Sequence, residues 1–266
     1  MKELTQRVLF AVPAAAIMLY ITWIGGLAFE ILFGVITLLT IWEVHNVLKH
    51  THDRDLFPLS VLVALFVWFF GDLPAWSVYA LSGTVLMLST AAFFMSRFDF
   101  PRRFFATLFS GIYAPAGFIM IVNIRSLGVE LDGFWLVLTL FFMIWGNDVF
   151  AYFGGTTWGK TPLAPAISPN KTMEGFWFGF LGSAVGFLIV YWIADPYPFA
   201  LWTIFPAVVI IGIFGPLGDI AESRLKRLAN VKDSSSILPG HGGFFDRFDS
   251  MILTAPFIYF LYYLLL

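Results

Sequence analysis

The chain has 266 residues, of which 59% are hydrophobic, 19% aromatic and only 12% charged. Because soluble domains carry about 25% charged residues, this composition excludes an ordinary soluble domain and indicates a protein surrounded largely by lipid. The formal net charge of −2 gives no general attraction for nucleic acid, and the absence of cysteine excludes disulfides and thiol chemistry.

The apolar runs predict an all-α, polytopic transmembrane bundle, since a spanning helix needs roughly 20 mostly apolar residues. The first run follows Lys2 and Arg7 without a convincing cleavage signal, which favours a retained span over a signal peptide. We expect one integral membrane domain over residues 1–266, in which 1–100 carry no chemical motif and 101–266 carry the active site. Nine spans are predicted, at about residues 8–24, 27–48, 56–71, 74–95, 104–122, 133–153, 176–194, 200–219 and 251–266.

The distribution of basic residues predicts the orientation, because cytoplasmic loops carry an excess of Lys and Arg. With nine spans, fourteen of the fifteen Lys and Arg residues lie in the N-terminus or the even-numbered loops, and only Arg125 lies on the other side. We therefore expect the N-terminus and the two longest loops, residues 154–175 and 220–250, at the cytoplasmic face of a cell membrane.

Several charged residues lie near the ends of predicted spans. A charge at mid-membrane costs about 2.5–3.5 kcal/mol on insertion scales, so we expect Glu30, Glu43 and His45 of the second span at the membrane interface. An arginine cluster near the fifth span is expected to anchor the bundle on the cytoplasmic side, with contact to anionic lipid headgroups as the alternative. Its members are Arg97, Arg102 and Arg103.

The first polar segment begins at Asp148, in the last turns of the sixth span, with Tyr152 one turn further on. Asp is too short to reach the interface easily, so a functional role is favoured over interfacial placement. Residues 154–161, GGTTWGKT, match the P-loop pattern, but they follow a transmembrane helix and precede prolines, which excludes a true P-loop. We expect a glycine-rich loop that offers backbone N–H groups and Lys160 to a phosphate.

The same segment ends with SPNKTMEG, just before the seventh span. Either Ser168 or Thr172 can cap the following helix, whose N-terminus favours anions. Lys171 and Glu174 would share one face if that helix begins early.

The second polar segment begins with a predicted helix over residues 219–228. At 100° per residue, Asp219, Glu222, Ser223 and Lys226 fall in one stripe, opposite an apolar face. A plain Glu222–Lys226 pair at i,i+4 is the alternative explanation, but it leaves Asp219 unexplained.

Three glycines follow between residues 240 and 243, and His241 lies among them. This histidine fits a turn residue or a hydrogen-bond donor to phosphate or base better than a metal ligand, because no second histidine is nearby. Asp246 and Asp249 lie one turn apart with Arg247 between them. Carboxylates without Cys or paired His suit Mg²⁺, which shares its ligands with substrate phosphates. The segment therefore predicts Mg²⁺-dependent phosphoryl or nucleotidyl transfer at the cytoplasmic face.

A longer pattern joins these residues. It comprises Ser223-Arg-Leu225-Lys226-Arg227, Lys232-Asp233, Ser235, Leu238-Pro239, His241-Gly242-Gly243-Phe244 and Asp246-Arg247-Phe248-Asp249. In these positions the chain resembles the signature of the phosphatidate cytidylyltransferase (CDP-diacylglycerol synthase) family. The first segment is similar to the same family in Asp148-x-x-Ala-Tyr152, Gly159-Lys160 and Ser168-Pro-x-Lys171-Thr-x-Glu174-Gly175.

The resemblance implies a reaction in which CTP and phosphatidate give CDP-diacylglycerol and pyrophosphate, with Mg²⁺ required. From charge and position we expect Asp219, Asp246 and Asp249 as metal ligands. The catalytic residues would be Asp219, Asp246, Lys226 and Asp148. The expected substrate-binding residues are Lys160, Ser168, Lys171, Thr172, Ser223, Arg227, Lys232, His241 and Arg247.

Two other functions remain open from the sequence. A nucleotidyltransferase that acts on another lipid phosphate, such as an isoprenoid glycerol phosphate, would need similar residues. A transporter with a polar midplane site is disfavoured because the charges cluster near one surface. The expected partners are CTP, phosphatidate and the bilayer, without nucleic acid, and a homodimer stays open.

Overall fold

The computed structural model describes residues 2–51, 55–69, 102–129, 131–238 and 240–266. Within them the chain forms eight α-helices: α1 Lys2–Ile24, α2 Gly26–Leu48, α3 Phe57–Phe69, α4 Arg102–Arg125, α5 Asp132–Trp158, α6 Met173–Ile193, α7 Ile204–Leu228 and α8 Phe244–Leu265. The fourth predicted span, 74–95, lies outside the described residues, and so do Arg97 and the side chains of Arg102 and Arg103.

Six helical segments within the described residues are long and apolar enough to cross a bilayer. They are Gly26–Leu48, Phe105–Arg125, Asp132–Trp158, Met173–Ile193, Leu201–Leu228 and Phe244–Leu265. Helices are required there because hydrocarbon offers no partner for backbone polar groups. The prediction of a helical, multi-pass membrane protein is confirmed. The apolar parts of α1 and α3, Ala11–Ile24 and Phe57–Phe69, are shorter, so the count of nine spans stays a prediction.

The ends of three helices shorten the two long loops expected from the sequence. Helix α5 continues to Trp158, so the glycine-rich stretch 154–158 is helical and not a loop. Helix α7 includes residues 219–228 as predicted, and α8 begins at Phe244, seven residues before the predicted ninth span. The glycines of α5 are tolerated because they lie against α6: a Cβ on Gly154 would meet the ring of Phe178.

A small β-hairpin joins α5 to α6, where the sequence predicts only a loop. Strand β1, Pro162–Ala164, pairs antiparallel with β2, Ser168–Thr172. Thr172 then caps α6, since its hydroxyl accepts a hydrogen bond of 3.1 Å from the Gly175 N–H. The hairpin and the cap together fix the position of Lys171, which belongs to β2 and directly precedes the cap residue Thr172.

Helix α4 lies at the centre of the bundle. In its most apolar stretch 72% of residues are buried, against 33% in those of α6 and α7. The ring of Phe118 on α4 lies 5.9 Å from Phe33 of α2 and 5.5 Å from Phe248 of α8, measured between centroids. These aromatic contacts join three helices below the polar segments.

Helices α5 and α6 pack closely along small residues. A Cβ on Gly186 would collide with the backbone of Phe142, and Gly146 and Gly182 lie directly against each other. Close approach of backbones through small residues is typical of helix pairs in membranes. The Asn147 amide also donates to the Ser183 hydroxyl over 3.1 Å, so this pair is joined by packing and by a buried hydrogen bond.

The two ends of the bundle differ in their polar contacts. At one end the β-hairpin lies beside the last turn of α7, where Arg227 Nε donates to the Ile167 carbonyl over 3.4 Å. Elsewhere, Arg125 at the end of α4 donates to the Thr22 and Trp23 carbonyls at the end of α1, over 2.7 and 3.0 Å. A cation at the end of α1 satisfies carbonyls that have no partner within the helix.

Candidate active site

Three carboxylates converge between α7 and α8. One oxygen each from Asp219, Glu222 and Asp249 lies within 4.8 Å of the others. Asp219 and Glu222 are three residues apart on α7 and therefore share a face, as the helical stripe in the sequence predicts. Asp249 comes from the second turn of α8, so the cluster exists only because the two helices pack together.

Gly218 lets α7 and α8 approach each other at this point. A Cβ on Gly218 would lie 2.5 Å from the Asp249 carbonyl oxygen and 3.1 Å from the Ser250 Cα. Both are backbone atoms, so a side chain here would push the helices apart. The absence of one side chain therefore brings Asp219, the next residue, to Asp249.

Two lysines partly neutralise this concentration of negative charge. Lys171 of β2 forms an ion pair with Asp219, and Lys226 of α7 contacts the Glu222 carboxylate at 2.7 Å. The Lys171 contact brings the first polar segment against the second. The two segments predicted from sequence therefore meet in one site, and the Glu222–Lys226 pair exists in addition to the cluster and does not replace it.

Asp246, which the sequence predicts as a metal ligand, is not one of the three clustered carboxylates, although Lys226 contacts both Asp246 and Glu222 of the cluster. Its Oδ1 accepts from Lys226 Nζ at 2.7 Å. Its Oδ2 accepts from the Gly243 N–H at 2.7 Å and from the Ser234 N–H at 2.9 Å. The Ser234 hydroxyl lies 2.9 Å from the same oxygen and 3.0 Å from the Glu43 carboxylate, and its one hydrogen can be donated to either. Through these contacts Asp246 caps α8 and holds Lys226, while its role as a metal ligand stays a prediction. Glu222 is a clustered carboxylate that the sequence did not assign to the metal.

The cluster fits a hard cation. Its donors are carboxylate oxygens, which suit Mg²⁺ or Ca²⁺ better than soft metals. Like charges this close repel each other unless they are compensated, and within the cluster the two lysines contact only Asp219 and Glu222. The Asp249 carboxylate accepts from its neighbouring Ser250 N–H and carries no ion pair among the described residues. A divalent cation would supply the missing positive charge.

The glycine-rich loop does not offer its backbone amides to a phosphate. The N–H groups of Lys160 and Thr161 both donate to the Glu174 carboxylate, at 3.0 and 3.1 Å, and the Thr161 hydroxyl also donates to it at 3.1 Å. This prediction was therefore wrong, because an internal carboxylate already occupies the anion-binding position. Glu174 also does not pair with Lys171, which contacts Asp219.

Asp148 lies on an exposed face of α5 and belongs to the same electrostatic environment. It interacts with Asp219, Lys171 and Arg247. Because its side chain is exposed, a substrate can reach Asp148 from the side of α5.

The remaining predicted substrate-binding residues differ in their contacts and in their exposure. Ser223 donates to Asp219 Oδ1 at 3.3 Å. The side chains of Lys160, Arg227, Lys232 and Arg247 are exposed. The half-buried residues are Ser168, Thr172 and His241.

His241 lies in a tight turn. Its N–H donates to the Leu238 carbonyl at 2.9 Å, and both flanking residues, Gly240 and Gly242, have positive φ angles of 74° and 81°. This backbone conformation favours glycine. The candidate metal site found among the described residues contains three carboxylates and no histidine, so metal ligation by His241 receives no support.

Two residues expected at the membrane interface are instead part of buried networks. Glu43 is fully buried and accepts hydrogen bonds from the start of α8. His45 pairs with Asp55, whose carboxylate also accepts from the Ser60 hydroxyl at 3.0 Å. Glu43 and His45 therefore have partners inside the protein, which simple interfacial placement does not predict, whereas Glu30 is exposed. The depth of all three residues in the membrane stays a prediction.

A model of the cytidylyltransferase family matches residues 5–265 of the chain. The chain belongs to the cytidylyltransferase family. In this family member the acidic cluster lies in the second of the two polar segments, and Lys171 of the first segment contacts it.

Curated relatives of this family member extend over nearly its whole length. It is 35% identical to a phosphatidate cytidylyltransferase of Bacillus subtilis, with 98% of each chain covered. It is 34% identical to proteins of the same name from Staphylococcus epidermidis and Staphylococcus aureus, with 95% of this chain and 96% of each relative covered.

The close approach at Gly218 gives a matched pair of substitutions on α7. Gly218→Ala should lower cytidylyltransferase activity by about 100-fold, since a misplacement of about 1 Å in a site costs that much. Gly215→Ala should leave it within about twofold, because no atom lies within 4 Å of a Cβ there and Ala favours a helix by about 1 kcal/mol. Assays of both purified variants, with thermal unfolding as the folding control, test this; equal activities would contradict it.

Proposed function

We propose that this protein transfers the cytidylyl group of CTP to phosphatidate, giving CDP-diacylglycerol and pyrophosphate. Its near full-length similarity to relatives named phosphatidate cytidylyltransferase carries the proposal. The site supports it independently, since a carboxylate cluster flanked by lysines in a multi-pass membrane protein suits a reaction between a polyphosphate and a lipid phosphate.

The transfer requires positioning more than acid–base chemistry. A phosphatidate oxygen attacks the α-phosphorus of CTP in line, a new P–O bond forms, and the bond to the β-phosphate oxygen breaks to release pyrophosphate. A phosphomonoester has a second pKa of about 6, so the attacking oxygen is already ionised at neutral pH. The protein must then align the two phosphates and compensate their charge.

We assign the metal to Asp219, Glu222 and Asp249. Mg²⁺ bound there would neutralise phosphate charge and polarise the phosphate oxygens. Lys171 and Lys226 already contact two of these carboxylates, so their ammonium groups lie where a phosphate bound beside the cluster would meet them. The exposed side chains of Lys160, Arg227, Lys232 and Arg247 supply further positive charge around it.

Phosphatidate must reach this site from the bilayer, and CTP from the cytoplasm. Asp148 and Tyr152 lie exposed on α5, which places a polar group on a lipid-facing helix and supports lateral entry of the lipid headgroup between helices. We propose the nine-span topology with a cytoplasmic N-terminus, in which the segment 229–243 faces the cytoplasm. No step of this mechanism requires a second chain, so the homodimer is not part of the proposal.

The choice of lipid acceptor can be tested directly with purified protein. With labelled CTP and Mg²⁺, phosphatidate should give labelled CDP-lipid and pyrophosphate in equal amounts, whereas an isoprenoid glycerol phosphate should give at most a few per cent of that yield. Product from the isoprenoid acceptor alone would contradict the substrate assignment. Flux of phosphatidate in proteoliposomes without consumption of CTP would favour a transporter.

The metal assignment separates two kinds of aspartate. Asp219→Asn and Asp249→Asn should each abolish turnover and weaken Mn²⁺ binding, measured by electron paramagnetic resonance, by at least tenfold because each removes a ligand. Asp246→Asn should also lower turnover strongly, since it breaks the contact with Lys226, but should bind Mn²⁺ within about threefold of wild type.

Asp195→Asn, at an exposed position after α6, is the control and should retain both properties. Loss of Mn²⁺ binding in Asp246→Asn with normal binding in Asp249→Asn would restore Asp246 as the ligand predicted from the sequence.

The proposed orientation can be tested by labelling, because the chain has no cysteine. In sealed right-side-out vesicles, an impermeant maleimide should label Val129→Cys, between α4 and α5, and not Ser236→Cys, between α7 and α8. Both positions are exposed. Labelling of Ser236→Cys before the membrane is permeabilised would invert the proposed topology.

A further inference from the structure

Glu43 of α2 is a fully buried carboxylate, and each of its two oxygens has two hydrogen-bond partners. Its side chain is 0% exposed. Its Oε1 accepts from the Ser235 hydroxyl at 2.7 Å and the Phe244 N–H at 3.0 Å. Its Oε2 accepts from the Phe245 N–H at 2.7 Å and the Ser234 hydroxyl at 3.0 Å. One residue of α2 thus holds a segment about 190 positions further along the chain.

These contacts satisfy the start of α8. The first N–H groups of a helix have no partner within it, and the helix dipole places positive charge there. Glu43 supplies a carboxylate to the amides of Phe244 and Phe245. Gly243 permits this contact, because a Cβ on it would collide with both the Glu43 carboxylate and the Ser234 hydroxyl.

The contacts continue from Glu43 to the acidic cluster. Ser234 lies against Glu43 Oε2 and also donates its N–H to Asp246 Oδ2 at 2.9 Å. Asp246 Oδ1 accepts from Lys226 Nζ, which contacts Glu222 of the cluster at 2.7 Å. The first turn of α8 leads directly to Asp249, so the position of Glu43 determines where two parts of the site lie.

We propose that Glu43 is a positioning residue of this transferase. Its carboxylate fixes the segment 234–245, so that Asp246 holds Lys226 and Asp249 faces Asp219. The inference rests on the proposed function for its catalytic consequence. The anchoring of the segment 234–245 by Glu43 does not depend on that function, because the hydrogen bonds themselves provide it.

Glu43→Gln is the informative substitution because it keeps the size of the side chain. Each Glu43 oxygen accepts one backbone N–H, so whichever position becomes the amide NH₂ must face a donor that cannot reverse. The serine hydroxyls can rotate, but the amides of Phe244 and Phe245 cannot. Glu30→Gln makes the same chemical change at an exposed position of the same helix and is the matched control.

Three measurements on the purified full chain test the proposal. In Glu43→Gln, hydrogen exchange over residues 234–245 should be at least tenfold faster, while the α5–α6 pair exchanges as in wild type. The dissociation constant for Mn²⁺ should rise at least threefold, and kcat should fall at least tenfold with a smaller change in the KM for CTP. Glu30→Gln should stay within twofold of wild type in all three.

The outcomes separate positioning from support of the fold. Faster exchange with unchanged Mn²⁺ affinity and kcat would show a merely structural contact and overturn the proposal, as would unchanged exchange. If Glu43→Gln does not fold, Ser235→Ala, which removes one hydrogen bond, should show the same changes at about threefold, and wild-type values there would overturn it. If wild type makes no CDP-lipid, the proposed function fails, while exchange and Mn²⁺ affinity still decide the role of Glu43.

Discussion

The site depends on one constraint: three carboxylates repel each other, yet the close packing of two helices holds them together. Gly218 removes the side chain that would separate α7 from α8, and the bundle brings Asp219, Glu222 and Asp249 within 4.8 Å of one another. Such a cluster is unfavourable unless cations compensate it. Packing energy in the bundle below therefore maintains a negative site that a bound cation can use.

Compensation by protein cations explains why distant segments come together. Lys171 lies on β2, between α5 and α6, and contacts Asp219, while Lys226 belongs to α7 and contacts Glu222 and Asp246. The close α5–α6 packing and the β-hairpin place Lys171 at this point, even though the hairpin itself carries no part of the acidic cluster. Architecture and electrostatics are thus coupled through single side chains.

Local patterns in the sequence were sufficient for the features that depend on neighbouring residues. Helical spacing places Asp219 and Glu222 on one face. The length of the apolar runs predicts the six helical segments that, among the described residues, are long and apolar enough to cross a bilayer. The helical state of residues 154–158 depends on contact with α6, and the contact of Glu43 with α8 joins positions about 200 residues apart. Spacing along one chain carries no information about either, so a loop and an interfacial glutamate were predicted instead. The donors to the Asp246 oxygens are likewise visible only in the fold, whereas metal ligation by Asp246 stays a prediction.

The start of α8 is closed to external anions. Its amides at Gly243, Phe244 and Phe245 all donate to carboxylates of the protein, and Glu174 takes the two amides after α5 in the same way. Any phosphate that binds beside these helix ends meets Lys and Arg side chains on rotatable stems, and not a rigid cradle of backbone donors. Its recognition then depends mainly on charge, which dissolved salt screens, so ionic strength becomes one of the conditions that would set how well the proposed site retains a nucleotide.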